Sequence, residues 1–82
     1  MSEAVRSLDQ LKLGEKAQVV ALAGGRAFQN RLVGMGLNVG SPVELIRASN
    51  GRGGPALVAT GGTRLAIGHG MASKILVAVD PD

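Results

Sequence analysis

The 82-residue chain contains no cysteine, tryptophan or tyrosine, and Phe28 and His69 are its only phenylalanine and histidine. Without cysteine it cannot form a disulfide, a thiolate metal site or a cysteine nucleophile. The shortage of aromatic side chains predicts an aliphatic core of valine, leucine, isoleucine and alanine. It also argues against nucleic-acid binding, because small barrels that bind RNA or DNA stack bases on aromatic side chains.

The chain also lacks a long apolar segment. The apolar run from Ile75 to Val79 is far too short to span a bilayer, which needs about 20 residues. The N-terminal region mixes charges with isolated apolar positions, unlike a signal peptide. We therefore expect a cytoplasmic protein with no direct membrane insertion. Its length supports one domain over residues 1–82, with a core from about 7 to 79.

Acidic residues are scarce in the middle of the chain. From Lys16 to Lys74, both included, the chain has seven basic residues and one acid, Glu44, while the other acids lie near the two ends. A basic middle could face nucleic acid, an acidic protein or acidic lipid. The alternative is an ordinary solubilising surface, since the net charge is only +3.

Side chains suited to catalysis or metal binding are few. His69 lies between two glycines with no acid nearby in the sequence, so it is a weak metal candidate only. Ferrous iron favours convergent sets of imidazole and carboxylate ligands, and we expect no metal site, cofactor or catalytic residue within one chain. A divalent metal shared between subunits stays open. The glycine clusters do not match a phosphate-binding loop, and we predict that the protein is not an enzyme.

Glycine is abundant, with 13 residues, and its clusters divide the chain into short segments rich in valine, leucine and isoleucine. This pattern predicts a mostly β fold, a small barrel of about five strands. The predicted strands are 18–22, 42–46, 56–60, 63–67 and 75–79. Gly61-Gly62 predicts a two-residue hairpin turn, because both positions of a type I′ turn need positive φ. Short helical turns are predicted after Ser7, from a capping box with Gln10, and between 68 and 74.

One segment follows a helical period instead. Phe28, Leu32 and Met35 are spaced i, i+4 and i+7, which predicts an inserted α-helix of about ten residues. Gly36 follows at the position where a left-handed residue ends a helix. This places Leu32 and Leu37 at the two positions whose side chains meet in a Schellman motif. The cap should therefore return Leu37 to the core.

The ordered set of these elements resembles the ferrous-iron transport protein A family, the FeoA-type domain, from about Ser7 to Val79. The best match is the segment Arg31-Leu32-Val33-Gly34-Met35-Gly36-Leu37-Asn38-Val39-Gly40, which is similar to that family's Arg-Leu-x-x-(Leu/Met)-Gly-(Leu/Ile)-x-x-Gly signature. Further matching pieces are Leu8-x-x-Leu11-x-x-Gly14, Ala17-x-Val19, Leu22-x-x-Gly25, Gly54-Pro55, Arg64-Leu65-Ala66-Ile67 and Ala72-x-x-Ile75-x-Val77.

The resemblance implies an SH3-like barrel of the bacterial cytosol that supports ferrous-iron uptake. Its partner would be the cytosolic GTP-binding domain of the membrane ferrous-iron transporter. Protein–protein contact would use a groove between the inserted helix and the barrel, or an exposed strand edge that accepts another strand, and the same edges could pair in a homo-oligomer. The predicted partner-binding residues are Arg26, Gln29, Asn30, Arg31 and Arg52. Two alternatives stay open: a basic barrel that binds nucleic acid, and an interaction module related to the C-terminal domain of iron-dependent repressors.

Overall fold

The computed structural model describes residues 4–48 and 54–80. In this part of the chain the six strands form one antiparallel sheet in the order β1-β6-β2-β3-β4-β5. The elements in chain order are β1 (Ala4–Ser7), a 3₁₀ turn (Leu8–Gln10), β2 (Lys16–Leu22), α1 (Arg26–Gly34), β3 (Pro42–Arg47), β4 (Ala56–Thr60), β5 (Thr63–Ile67), α2 (His69–Ala72) and β6 (Ile75–Val79).

The sheet contains one strand more than the sequence predicted. β1 has only four residues, and it pairs with β6 from Ala4–Val79 to Ser7–Leu76. So short a segment carries no strand pattern of its own, and its conformation depends on the pairing with β6. The other strands match the predicted ones, although β2 begins two residues earlier, at Lys16, and β3 extends one residue further, to Arg47.

The core lies on the inner face of the sheet, where strand residues alternate between buried and exposed. In β2, for example, Ala17 and Val19 are buried while Lys16 and Gln18 are exposed. Register shifts in β2 and in β3 bend these two strands, and such irregularities help a sheet curl around its core. The fully buried large side chains are Leu8, Leu32, Leu37, Ile67, Ile75, Val19, Val58 and Val77. The core is therefore aliphatic, as predicted.

The predicted turns are present in the structure. Gly61 and Gly62 both have positive φ, 56° and 83°, and they join β4 to β5 as the two-residue hairpin turn requires. In the N-terminal turn, the amide of Ser7 donates to the side-chain oxygen of Gln10 at 3.4 Å, which is one half of the predicted capping box. The helical turn expected before the last strand is α2.

The end of α1 forms the predicted Schellman motif. The amide of Gly36 donates to the carbonyl of Val33, and the amide of Leu37 donates to the carbonyl of Leu32, both at 2.9 Å. Gly36 has φ of 95°, so the chain reverses there and enters the segment that leads to β3. Helix α1 is consequently fixed at its end.

Candidate functional site

Helix α1 is held against the barrel by one side of its surface. Leu32 is fully buried, and Phe28 and Met35 are half-buried against the core, which confirms the predicted apolar stripe. The Lys74 ammonium lies 5.6 Å from the centre of the Phe28 ring, a distance at which a cation is attracted to the ring face. The rest of the helix surface is thereby turned outward.

The outward surface of α1 is basic and includes the apolar residues Ala27 and Val33. Arg26, Asn30 and Val33 are spaced i, i+4 and i+7, and they are all exposed. Arg31 is also exposed, about 100° further around the helix than Asn30, and α1 contains no acidic residue. We call Arg26, Asn30, Arg31 and Val33 the α1 face. Val33 is 50% exposed, so the face combines two positive charges with an accessible aliphatic side chain.

Gln29 has a different environment from Arg26, Asn30 and Arg31, the other predicted partner-binding residues of α1. Its side-chain amide donates to the carbonyl of Leu22 and to the carbonyl of Gly24, both at 3.2 Å. Gln29 is half-buried, and it ties the first turns of α1 to the end of β2. Arg26, Asn30 and Arg31 are thus all exposed on α1, whereas the side chain of Gln29 is used within the fold. The role of these residues in partner binding stays a prediction. Arg52 lies outside the described residues.

The arginines of the α1 face have no carboxylate partner in the described part of the chain. The ion pair found there joins Arg6 Nη1 to Glu15 Oε1 at 3.2 Å. The carboxylate of Glu15 also accepts from the amide of Lys12, so this pair secures the loop before β2.

A second feature is an open depression of about 290 Å³ at one end of the barrel. Its polar lining comes from Lys16, Glu44, Thr60 and Asp80, and the hairpin turn Gly61-Gly62 forms one wall. None of the predicted partner-binding residues that the structure describes lines it. The depression could not be predicted from the sequence, because its lining comes from three separate strands, the hairpin turn and the residue that follows β6.

Metal-ligating residues are not clustered in residues 4–48 and 54–80: no three of the histidine and acidic side chains come close enough to hold one ion. His69 begins α2, and its side chain lies outside what the structure describes. The expectation that metal is not bound within one chain stays a prediction. No helix in the same described ranges is long and apolar enough to cross a membrane.

These features define a small SH3-like barrel with one inserted helix. The family model of the FeoA domain matches residues 6–79 of the chain. The chain belongs to the FeoA domain family.

Individual relatives agree with this assignment. The chain is 42% identical over 66 residues to a Methanocaldococcus jannaschii protein provisionally named Fe(2+) transport protein A, a match that covers 80% of this chain and 77% of the relative. A crystal structure of an iron uptake regulatory protein, FeoA, superposes with a TM-score of 0.83 at 34% identity, over 94% of this chain and 99% of that one.

A manganese-dependent transcriptional repressor shares the fold. It superposes with a TM-score of 0.85 at 17% identity, and the match covers 98% of this chain but only 44% of the repressor. At this identity the likeness concerns the fold alone. The alternative of an interaction module related to the C-terminal domain of iron-dependent repressors stays a prediction.

Proposed function

We propose that this protein is a cytoplasmic accessory protein of ferrous-iron uptake. It acts by binding the cytosolic GTP-binding domain of the membrane ferrous-iron transporter, and it performs no catalysis itself. Membership of the FeoA domain family supports a role in ferrous-iron uptake, because relatives of this chain are named for Fe(2+) transport and for regulation of iron uptake.

The observation that carries the contact is the α1 face. Arg26 and Arg31 are exposed on one short helix that has no acidic residue, and Val33, two turns after Arg26 on the same side, is 50% exposed. Basic groups guide association with an acidic surface, and an exposed apolar side chain adds contact area once the surfaces meet. The partner should therefore offer carboxylates around a small apolar depression.

The rigidity of α1 supports this role. The helix is anchored by Leu32 in the core, by the Schellman motif at its end and by the two hydrogen bonds of Gln29 at its start. A preformed surface loses less conformational entropy on binding than a flexible one. The α1 face can thus bind without prior rearrangement of the barrel.

Isothermal titration of this protein with the purified transporter tests the proposal, once with GTP analogue present, once with GDP and once without nucleotide. We expect saturable binding in at least one nucleotide state, with a dissociation constant below about 50 μM. Absence of binding in all three nucleotide states, at protein concentrations of about 50 μM, would refute the proposal. A control titration with the transporter lacking its GTP-binding domain should give no heat of binding.

A further inference from the structure

The two edges of the sheet differ in how well they are protected. Exposed edge strands are templates for another strand unless charge, a bulge or proline blocks them. β1 has only four residues, and its Arg6 is held in the ion pair with Glu15. β5 has five residues that pair with β4 without any register shift, it contains no proline, and Arg64 is its one charged residue. Among the described residues no strand pairs with the far side of β5.

The hydrogen-bonding groups on that free side can be assigned from the hairpin. A two-residue turn closes on a hydrogen-bonded pair, here Thr60–Thr63, and hydrogen-bonded pairs then alternate along the ladder. Thr63, Leu65 and Ile67 therefore bond to β4. The N–H and C=O groups of Arg64 and Ala66 point away from β4, and both residues are exposed. β5 thus offers two donors and two acceptors to a further strand.

The charge at this edge indicates the chemistry of that strand. Arg64 is the one charged residue of β5, and no carboxylate forms an ion pair with it in the described part of the chain. Glu44 lies in the same cross-strand row but two strands away, about 10 Å at the usual strand spacing. An added strand would lie at half that distance. A carboxylate on it would neutralise Arg64.

A second copy of this chain fits the edge less well. Antiparallel pairing of two β5 strands about Leu65 would use all four groups, but it would place the two Arg64 side chains on one face, diagonally apart by roughly 7–8 Å. Each copy also has a net charge of +3. Repulsion therefore favours an acidic segment from a different protein.

We propose that the edge of β5 accepts an extended acidic segment of the transporter's cytosolic region as a seventh strand, with a carboxylate beside Arg64. This inference rests on the proposed function, since it uses the same partner, and it adds a second contact to that of the α1 face. Backbone pairing would supply affinity, and Arg64 would select the acidic sequence.

Hydrogen exchange resolved by residue tests the inference directly. The amides of Arg64 and Ala66 should exchange rapidly in the free protein and at least about tenfold more slowly in the complex with the transporter. If the complex forms and protects α1 while these two amides exchange as before, strand addition is refuted and the proposed function stands. If no complex forms, the proposed function fails first. If the amides of Arg64 and Ala66 exchange more slowly as the concentration of the free protein rises, a second copy of this chain binds the edge of β5. That result would also refute the inference.

Two matched pairs of variants give an independent test. Ala66→Pro removes the outward N–H, whereas Ala66→Thr keeps it, and neither changes a bond to β4. We expect Ala66→Pro to weaken binding by about threefold to tenfold, as for one net hydrogen bond, and Ala66→Thr to leave it unchanged. Arg64→Glu should weaken binding, while Lys12→Glu, an equal charge change on the loop before β2, should not. Equal effects of the two variants within each pair would contradict the inference. If Ala66→Pro does not fold, the hydrogen-exchange measurement on the unmodified protein tests strand addition in its place.

Discussion

The backbone amide of Leu37 donates to the carbonyl of Leu32 at 2.9 Å, and both leucine side chains are fully buried. This pairing closes α1 and starts the return of the chain to β3. It depends on Gly36, whose φ is 95°. Gly36 is therefore one of the features that fix the orientation of the α1 face, together with the burial of Leu32 and the hydrogen bonds of Gln29.

Replacement of Gly36 should destabilise the protein through the backbone alone. A Cβ added at Gly36 would meet no atom within 4 Å, so the cost comes from its positive φ. We expect Gly36→Ala to lower the free energy of unfolding by about 1–2 kcal/mol, and Gly36→Val to lower it further. Urea denaturation followed by circular dichroism measures both changes.

Gly34→Ala is the matched control, because an added Cβ there also meets no atom but the residue lies in α1 without positive φ. It should stabilise the protein by about 0.5–1 kcal/mol. A similar loss of stability for both alanine variants would show that the backbone conformation of Gly36 is not the cause.

Truncation of Leu32 should be among the more damaging single changes in α1. Its side chain is fully buried, and its loss leaves a cavity that the neighbouring strands cannot fill completely. We expect Leu32→Ala to cost about 2–5 kcal/mol in thermal or urea unfolding. Val33→Ala, at the next position, truncates a side chain that is 50% exposed. It should change the free energy of unfolding by less than about 0.5 kcal/mol. Comparable costs would mean that α1 packs through a different side.

Gln29 should contribute to stability more than its neighbour Asn30. Gln29→Ala removes both hydrogen bonds from α1 to the end of β2, at Leu22 and Gly24. We expect a loss of about 1–2 kcal/mol and faster amide exchange in the first turn of α1. Asn30→Ala, at an exposed position of the same helix, should leave both quantities nearly unchanged. If Gln29→Ala instead weakens transporter binding with stability intact, Gln29 contacts the partner directly, as the sequence predicted.

Local features of the sequence were sufficient to predict much of this fold. The Schellman motif follows from the spacing of Leu32, Gly36 and Leu37, and the β4–β5 hairpin follows from Gly61-Gly62. Both depend on the conformational preferences of residues close together in the chain. Strands β4, β5 and β6 consequently begin and end where the sequence predicted.

Features that depend on distant residues could not be predicted in the same way. β1 is a strand because β6 lies beside it, more than 60 residues later in the chain. The bonds from Gln29 depend on where β2 ends relative to α1, and the free edge of β5 depends on the order of the strands. Exposure of Arg26 and Arg31, by contrast, follows from the helical period once Leu32 is placed in the core.

Charge reversal on the α1 face is the most direct test of the proposed contact. Arg31→Glu should weaken binding of the transporter's GTP-binding domain by about tenfold or more, because it turns an attraction into a repulsion on the α1 face. Lys12→Glu makes the same change in net charge at a different place. Lys12 precedes β2 and Arg31 follows it, and β2 is about 20 Å long. We expect that only Arg31→Glu weakens binding, at unchanged thermal stability. Equal dissociation constants for the two variants would refute a contact through the α1 face.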